Sequence, residues 1–219
     1  MAHSPYLAPG FYHDALARGR HRDIVGGRWD ETARAQMAIL QAAGLQPHHH
    51  LLDIGCGSLR LGHLAVPFLD PGHYWGTDAS LALMRRGYDL ELADKSRLPL
   101  SHLVEDADFA LPGIPDRITH AIAFGVFTHL PSLTLRPALT SFRGRLPTLS
   151  RLLLTIFLAP EAPAGPVRQP DGVVTHPDRA PYHRAAWAVE ADAKAAGWAL
   201  HWQDTRLPRG QKLCHLTPM

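Results

Sequence analysis

What this chain has little of narrows its class. It carries two cysteines in 219 residues, Cys56 and Cys214, both inside segments patterned as buried elements, so no disulfide framework staples it. That usage suits a reducing compartment. No apolar run nears the roughly 18 residues of a membrane span. The opening Met1-Ala2-His3-Ser4-Pro5 lacks the basic-then-apolar pattern of a secretory leader. The expectation is a cytoplasmic protein with no membrane partner. Charge of neither sign accumulates: 22 Lys and Arg against 20 Asp and Glu leave a formal net charge of +2, with the basic residues dispersed. That argues against a nucleic-acid partner, which would need a basic surface. No Cys/His spacing supports a structural zinc. The run His48-His49-His50 is too cramped for its side chains to face one ion, so no metal is expected. There is no internal repeat.

What is present reads as strands alternating with helices. Ala33, Met37, Ile39 and Leu40 recur near helical spacing within residues 31–44, and Gly44 is a stop. Strands are expected at Leu51–Ile54, His73–Asp78, Ser101–Val104, Ile118–Val126 and Arg151–Leu158. Helices are expected at Leu59–Leu69, with Pro67 loosening its last turn, at Leu81–Ala93 and at Leu133–Leu146. Such alternation implies an α/β protein, a mostly parallel sheet covered on both faces. The pattern breaks at Ala159–Pro181, where prolines at 160, 163, 166, 170, 177 and 181 exclude helix and interior strand. An active-site lid and a mere mobile loop are both open readings. A helix over His183–Trp198 follows. Two strands, Ala199–Thr205 and Gln211–Leu216, then form an antiparallel hairpin around Leu207-Pro208-Arg209-Gly210.

The most informative stretch is His50-Leu51-Leu52-Asp53-Ile54-Gly55-Cys56-Gly57-Ser58-Leu59-Arg60-Leu61-Gly62: a strand, a glycine turn and a helix start. Gly55 and Gly57 let the backbone turn tightly and approach a ligand. Three acids fall at strand ends: Asp53, Asp78 about 25 residues later, and Asp106. An acid closing the second strand can accept both hydroxyls of a ribose. A dinucleotide loop wants a third glycine where Arg60 stands, and a carboxylate at Asp53 would repel a diphosphate. A ligand bearing an ammonium and a sulfonium has the opposite preference, which favours S-adenosylmethionine over NAD.

The chain resembles the class I S-adenosylmethionine-dependent methyltransferases over roughly residues 20–217. Leu51-Leu52-Asp53-Ile54-Gly55-Cys56-Gly57 looks like their first motif, and Gly76-Thr77-Asp78-Ala79-Ser80 like their ribose segment. Glu105-Asp106-Ala107-Asp108-Phe109 falls at the adenine acid, and Ala123–Pro131 at the end of the fourth strand. Gly57-Ser58-Leu59-Arg60-Leu61-Gly62, preceded by Gly26-Gly27-Arg28-Trp29, is similar to a bacterial subgroup with a D-x-G-C-G-S-L-R first motif. Leu59 and Arg60 depart from members carrying a third glycine.

The resemblance implies one Rossmann-like, doubly wound domain over 1–219, with a mostly parallel seven-stranded sheet and a C-terminal antiparallel hairpin. Residues 1–45 would be an N-terminal helical cap and 159–181 a lid-like loop. It also implies roles. Gly55, Cys56 and Gly57 would line the methionine portion through backbone groups, and Asp53 would receive its ammonium directly or through water. Asp78 would hold the ribose with Ala79 and Ser80 beside it. Asp106, or Asp108 two residues on, would meet the adenine amine, and Ala107 a ring nitrogen. Phe124 and Gly125 would sit near the sulfonium.

The activity implied is in-line methyl transfer to an oxygen or nitrogen of a small-molecule acceptor. A base is required only where the acceptor must lose a proton. His129 and His21 are the foremost candidates, with His13 and His183 behind them and Tyr12 and Tyr182 as polar neighbours. A cofactor-binding protein without catalysis and an NAD-dependent oxidoreductase are the alternatives. Sequence does not fix the oligomeric state.

Overall fold

The computed structural model describes residues 10–160 and 165–219. In chain order these form helices α1 (His13–Ala17), α2 (His21–Ile24) and α3 (Trp29–Ala42), then β1 (Leu51–Ile54), α4 (Gly62–Phe68), β2 (Tyr74–Asp78), α5 (Leu81–Glu91), β3 (Leu103–Glu105), β4 (His120–Ala123), α6 (Leu135–Arg145) and β5 (Arg151–Leu158). They continue with the short strands β6 (Val167–Arg168), β7 (Val174–Thr175) and β8 (His183–Arg184), then α7 (Ala186–Ala195), β9 (Trp198–Gln203) and β10 (Lys212–Pro218). The strand order is β3-β2-β1-β4-β5-β10-β9. The first five are parallel, and β10 is antiparallel to both neighbours.

The apolar runs are continuous because both sheet faces are covered. Leu52, Ile54, Leu152, Leu154 and Ile156 point to one face, where Leu139 and Phe142 of α6 and Val189 and Ala193 of α7 pack. Leu51 and Leu153 point to the other, against Leu40 of α3, Ala65 and Val66 of α4 and Met84 of α5. The Trp198 indole is fully buried and donates to the Leu139 carbonyl at 3.0 Å, so its one polar atom is satisfied.

The mostly parallel sheet with its antiparallel end is as the sequence implies, and several boundaries differ. The helix expected from Leu59 begins at Gly62, because Leu59 holds a left-handed backbone (φ 63°) that no helix continues through. The sheet has eight strands, not seven. β10 pairs with β5 only as far as Ile156, which leaves the edge of Phe157 and Leu158 to β8. The helix expected from His183 therefore starts at Ala186, and Trp198 opens β9. Within 159–181 the described residues carry the β6–β7 hairpin. Gln169 ties it to the sheet, donating from Nε2 to the Leu158 carbonyl at 2.9 Å. Residues 161–164 of that loop, and 1–9 of the N-terminal cap, lie outside the described part. Among the described residues no helix is long and apolar enough to cross a membrane.

Histidines gather at the amino ends of the parallel strands, away from the glycine turn. His49 packs on His120 with ring centroids 4.4 Å apart, His50 stacks on His73 at 3.9 Å, and His102 stacks on Trp75 at 3.5 Å. Burial, then the neighbouring histidines, push His50 and His120 down to about 4. An unfolded chain takes up these protons near pH 6.5, whereas the folded chain resists to about 4, so stability is lost as pH falls below 6.5. For His120, only 4% exposed, the linkage amounts to about 2 kcal/mol at pH 5. Asp53 and Asp78, raised by burial, pull the other way over this range, so the His120 share is read as the change in the pH 7 to pH 5 difference in urea unfolding between the unmodified protein and His120→Gln.

Candidate active site

The strand order reverses between β1 and β4, and there, beyond the carboxyl ends of the strands, a cavity of about 280 Å³ opens. The turn after β1 forms its floor. Gly55 (φ 71°) and Cys56 both donate from backbone N–H to the Thr77 carbonyl, at 2.7 and 3.0 Å. A Cβ on Gly55 would lie 2.5 Å from Val126 Cγ2, and one on Gly57 2.7 Å from Val25 Cγ1, so only glycine fits this turn as built. Cys56 turns its side chain into the core, where a Cβ on Gly76 would stand 2.8 Å from its Sγ. Burial pushes that thiol up, away from thiolate chemistry.

Asp78 ends β2 with both oxygens engaged: Oδ2 accepts from Gly57 N–H at 2.9 Å and Oδ1 from Ser80 N–H at 3.0 Å. Burial raises this carboxyl to about 6, opposed by those N–H groups. Asp53, only 2% exposed, accepts from the Tyr74 hydroxyl at 2.7 Å. Burial raises it to about 7, opposed by the Tyr74 hydrogen bond and then by Arg60. Both acids, with Ala79, Asp106 and Ala107, line the cavity. Asp106 also shapes its own turn, accepting from Leu111 N–H at 2.9 Å and from Ala110 N–H at 3.2 Å. Asp108 is not among the lining residues.

Phe124 and Gly125 supply the wall beyond β4. The Gly125 peptide is clamped on both sides: its N–H donates to Thr155 Oγ1 at 2.8 Å, and its carbonyl accepts from Thr128 Oγ1 at 2.6 Å. Thr155 in turn donates to Gln211 Oε1 at 2.5 Å. His129 lines the cavity, and burial, then the Arg209 cation, lower it to about 4.

Three residues singled out from sequence, Ser80, His21 and His183, are placed elsewhere. Ser80 caps α5, its Oγ accepting from Leu83 N–H at 3.2 Å, and does not line the cavity. His21 is turned away from the cavity: its Nε2 lies 2.6 Å from Glu91 Oε1, and its carbonyl accepts from Ser58 Oγ at 3.0 Å. His183 is buried beside Thr175, with Nδ1 2.9 Å from Oγ1, whereas Tyr12 does reach the cavity.

Sequence reasoning missed Thr32, Gln36, Val173, Arg209 and Gln211, all of which line the cavity. It also missed the segment that brings them in. Arg60 donates from Nη1 to the Val25 carbonyl at 2.6 Å, and Arg209 donates from Nη2 to that of Gly26. Residues 24–26 are thereby drawn against the glycine turn as a strap. Left-handed Gly27 and Arg28 then lead into α3, where Trp29 stacks on His63 at 5.6 Å.

No protein-family model and no curated protein sequence matches the chain. Solved structures do. The chain is similar to magnesium protoporphyrin IX methyltransferase from Synechocystis PCC 6803, solved with bound S-adenosylmethionine. Identity is 15%, the TM-score is 0.61, and the match covers 98% of this chain and 94% of that one. A TehB-like SAM-dependent methyltransferase from Corynebacterium glutamicum matches at 17% identity and TM-score 0.61, over 97% of this chain and all of that one (100%). A putative O-methyltransferase from Nostoc punctiforme matches at 16% and 0.64, over 98% and 70%. The shared fold is that of Rossmann-like methyltransferases, over almost the whole chain.

Proposed function

We propose that the chain is an S-adenosylmethionine-dependent methyltransferase acting on an oxygen or nitrogen of a small-molecule acceptor. The observation that carries this reading is the pairing of a glycine-cradled cavity at the strand-order reversal with carboxylates on its wall at Asp53, Asp78 and Asp106. A diphosphate would meet three acidic side chains set against the two arginines that also line the cavity, Arg60 and Arg209, whereas a ligand bearing both an ammonium and a carboxylate has a partner for each. The structures it resembles, one of them holding that ligand, support the same choice.

Asp78 would accept from the ribose hydroxyls, Asp106 would accept from the adenine amine beside Ala107, and Asp53 would receive the ammonium. When bound, the cofactor supplies a methyl group already activated by its sulfonium. The protein's part is then positioning, which can supply on the order of 7–11 kcal/mol in favourable cases. The Thr155–Gln211 clamp holds the Gly125 peptide still at the end of β4. His129, held neutral but only weakly basic at about 4, could take a proton from a hydroxyl acceptor only if substrate binding raises its basicity. The described part of 159–181 contributes Val173 and Pro181 to the wall, the contribution expected of a lid over the acceptor.

Titration with S-adenosylhomocysteine and with NAD tests the reading. Micromolar binding of the first alone supports it, and preference for NAD overturns it. Once an acceptor is found, His129→Gln should lower kcat about 100-fold for a hydroxyl acceptor and little for an amine already neutral. If both acceptors respond alike, His129 is not the proton acceptor.

A further inference from the structure

Arg60 stands where dinucleotide loops carry a glycine, and the cofactor reading above leaves it unused. The left-handed backbone at Leu59 delays α4 to Gly62, so Arg60 occupies a turn and not a helix face. Its side chain lines the same cavity as Asp53 and Gly57. Its charge opposes the burial-driven rise of Asp53, which puts the guanidinium within electrostatic reach of that carboxyl. Its Nη1 donates to the Val25 carbonyl at 2.6 Å and lies 3.9 Å from where a Cβ on Gly26 would be. This end of the cavity therefore sets the Asp53 carboxyl against two cations held to the strap, Arg60 and Arg209, of which Arg60 is the one whose charge bears on Asp53.

An α-amino acid carries an ammonium and a carboxylate on a single carbon. A wall of carboxylates suits the ammonium but repels its partner, and a guanidinium is the side chain whose planar fork matches a carboxylate. We propose that Arg60 binds the carboxylate of the cofactor's methionine portion, with Asp53 taking the ammonium beside it; the assignment rests on the S-adenosylmethionine reading. Because Arg60 also holds Val25, binding that carboxylate and fixing the strap fall to one side chain.

The test pairs a variant with a truncated ligand, read by calorimetry. Arg60→Met should weaken S-adenosylhomocysteine by 10- to 100-fold, the usual span for a charge-assisted hydrogen bond. 5′-Methylthioadenosine, which lacks the amino-acid end, should stay within about two-fold by the same reasoning. Arg60→Lys, which keeps the charge but not the fork, should recover part of the loss. Equal weakening of both ligands would mean that Arg60 only secures the strap, and would overturn the proposal while leaving the cofactor reading intact. Failure of the unmodified protein to bind S-adenosylhomocysteine would overturn both. Should Arg60→Met not fold, the unmodified protein, read beside Arg60→Lys and with Arg209→Met as control, decides the matter. Decarboxylated S-adenosylhomocysteine must bind it at least about 10-fold more weakly than the parent, and equal affinity overturns the assignment.

Discussion

Asp78→Ala should abolish measurable S-adenosylhomocysteine binding, a loss of 100-fold or more, while the protein stays folded. Two hydroxyls donating to one ionised carboxylate are worth about 1.5–3 kcal/mol each, so losing both removes two or more decades of affinity. The variant should nonetheless keep its stability to within about 1 kcal/mol, because two effects offset. Burial disfavours the Asp78 charge, as its raised carboxyl shows, so deletion relieves a cost. Against that, the N–H groups of Gly57 and Ser80 lose their acceptor. The same carboxyl predicts a pH dependence. In the proposed reading its ionised form accepts from the ribose, and it protonates near 6. With Asp53 protonating near 7 as well, affinity should begin to decline as pH falls below about 8 and fall further through 6. Calorimetry across that range, with a thermal melt of the variant, checks both statements. Unchanged binding in Asp78→Ala would move the ribose elsewhere.

Gly87→Ala should destabilise the protein by about 2–3 kcal/mol, although a helical glycine replaced by alanine ordinarily gains up to about 1 kcal/mol. A Cβ at this position of α5 would lie 2.2 Å from the Ser58 carbonyl oxygen and 2.3 Å from its carbon. That obstacle is backbone, so no rotamer relieves it: either α5 retreats or the turn carrying Gly57 shifts. Retreat of α5 would open the packing of Leu83 and Met84, both essentially unexposed. A shift of the turn would move the N–H that Asp78 accepts from. Chemical denaturation should register the first and cofactor affinity the second. Gly87→Val, bulkier on the same contact, should fail to accumulate as folded protein. A stable, fully binding Gly87→Ala would mean that α5 and the turn slide past each other freely.

Local pattern carried much of this fold. β1 and β5 occupy the limits their apolar runs suggest, since a strand covered on both faces shows its full length in composition. Asp53, Asp78 and Asp106 were visible because an acid after an apolar strand stands out. What stayed hidden depends on partners remote in sequence. Nothing near Gly125 announces that Thr155, thirty residues on, will hold its N–H, or that Gln211, 56 residues beyond Thr155, will brace that hydroxyl. Gly87 shares a helix face with Met84 and reads as a neutral spacer until Ser58 is seen against it. His21 was plausible as a base because its neighbourhood folds near the site, and only the Glu91 contact shows which way the ring turns. The two-residue β8 exists because β10 stops short on β5, a matter of register that no window of sequence contains.

The strap has a temporal consequence. Its carbonyls at Val25 and Gly26 are held by side chains far apart in the sequence, Arg60 and Arg209. If the ligand enters beneath this segment, those bonds must part first, and the frequency of parting then sets a ceiling on how fast the cavity loads. In rapid mixing, with Trp29 at the start of α3 as the reporter, the observed rate should climb with ligand concentration and then level off. The plateau is the opening rate of the strap itself. Severing only the Arg209 tether, with Arg209→Ala, should raise that plateau and shorten the residence of the bound ligand.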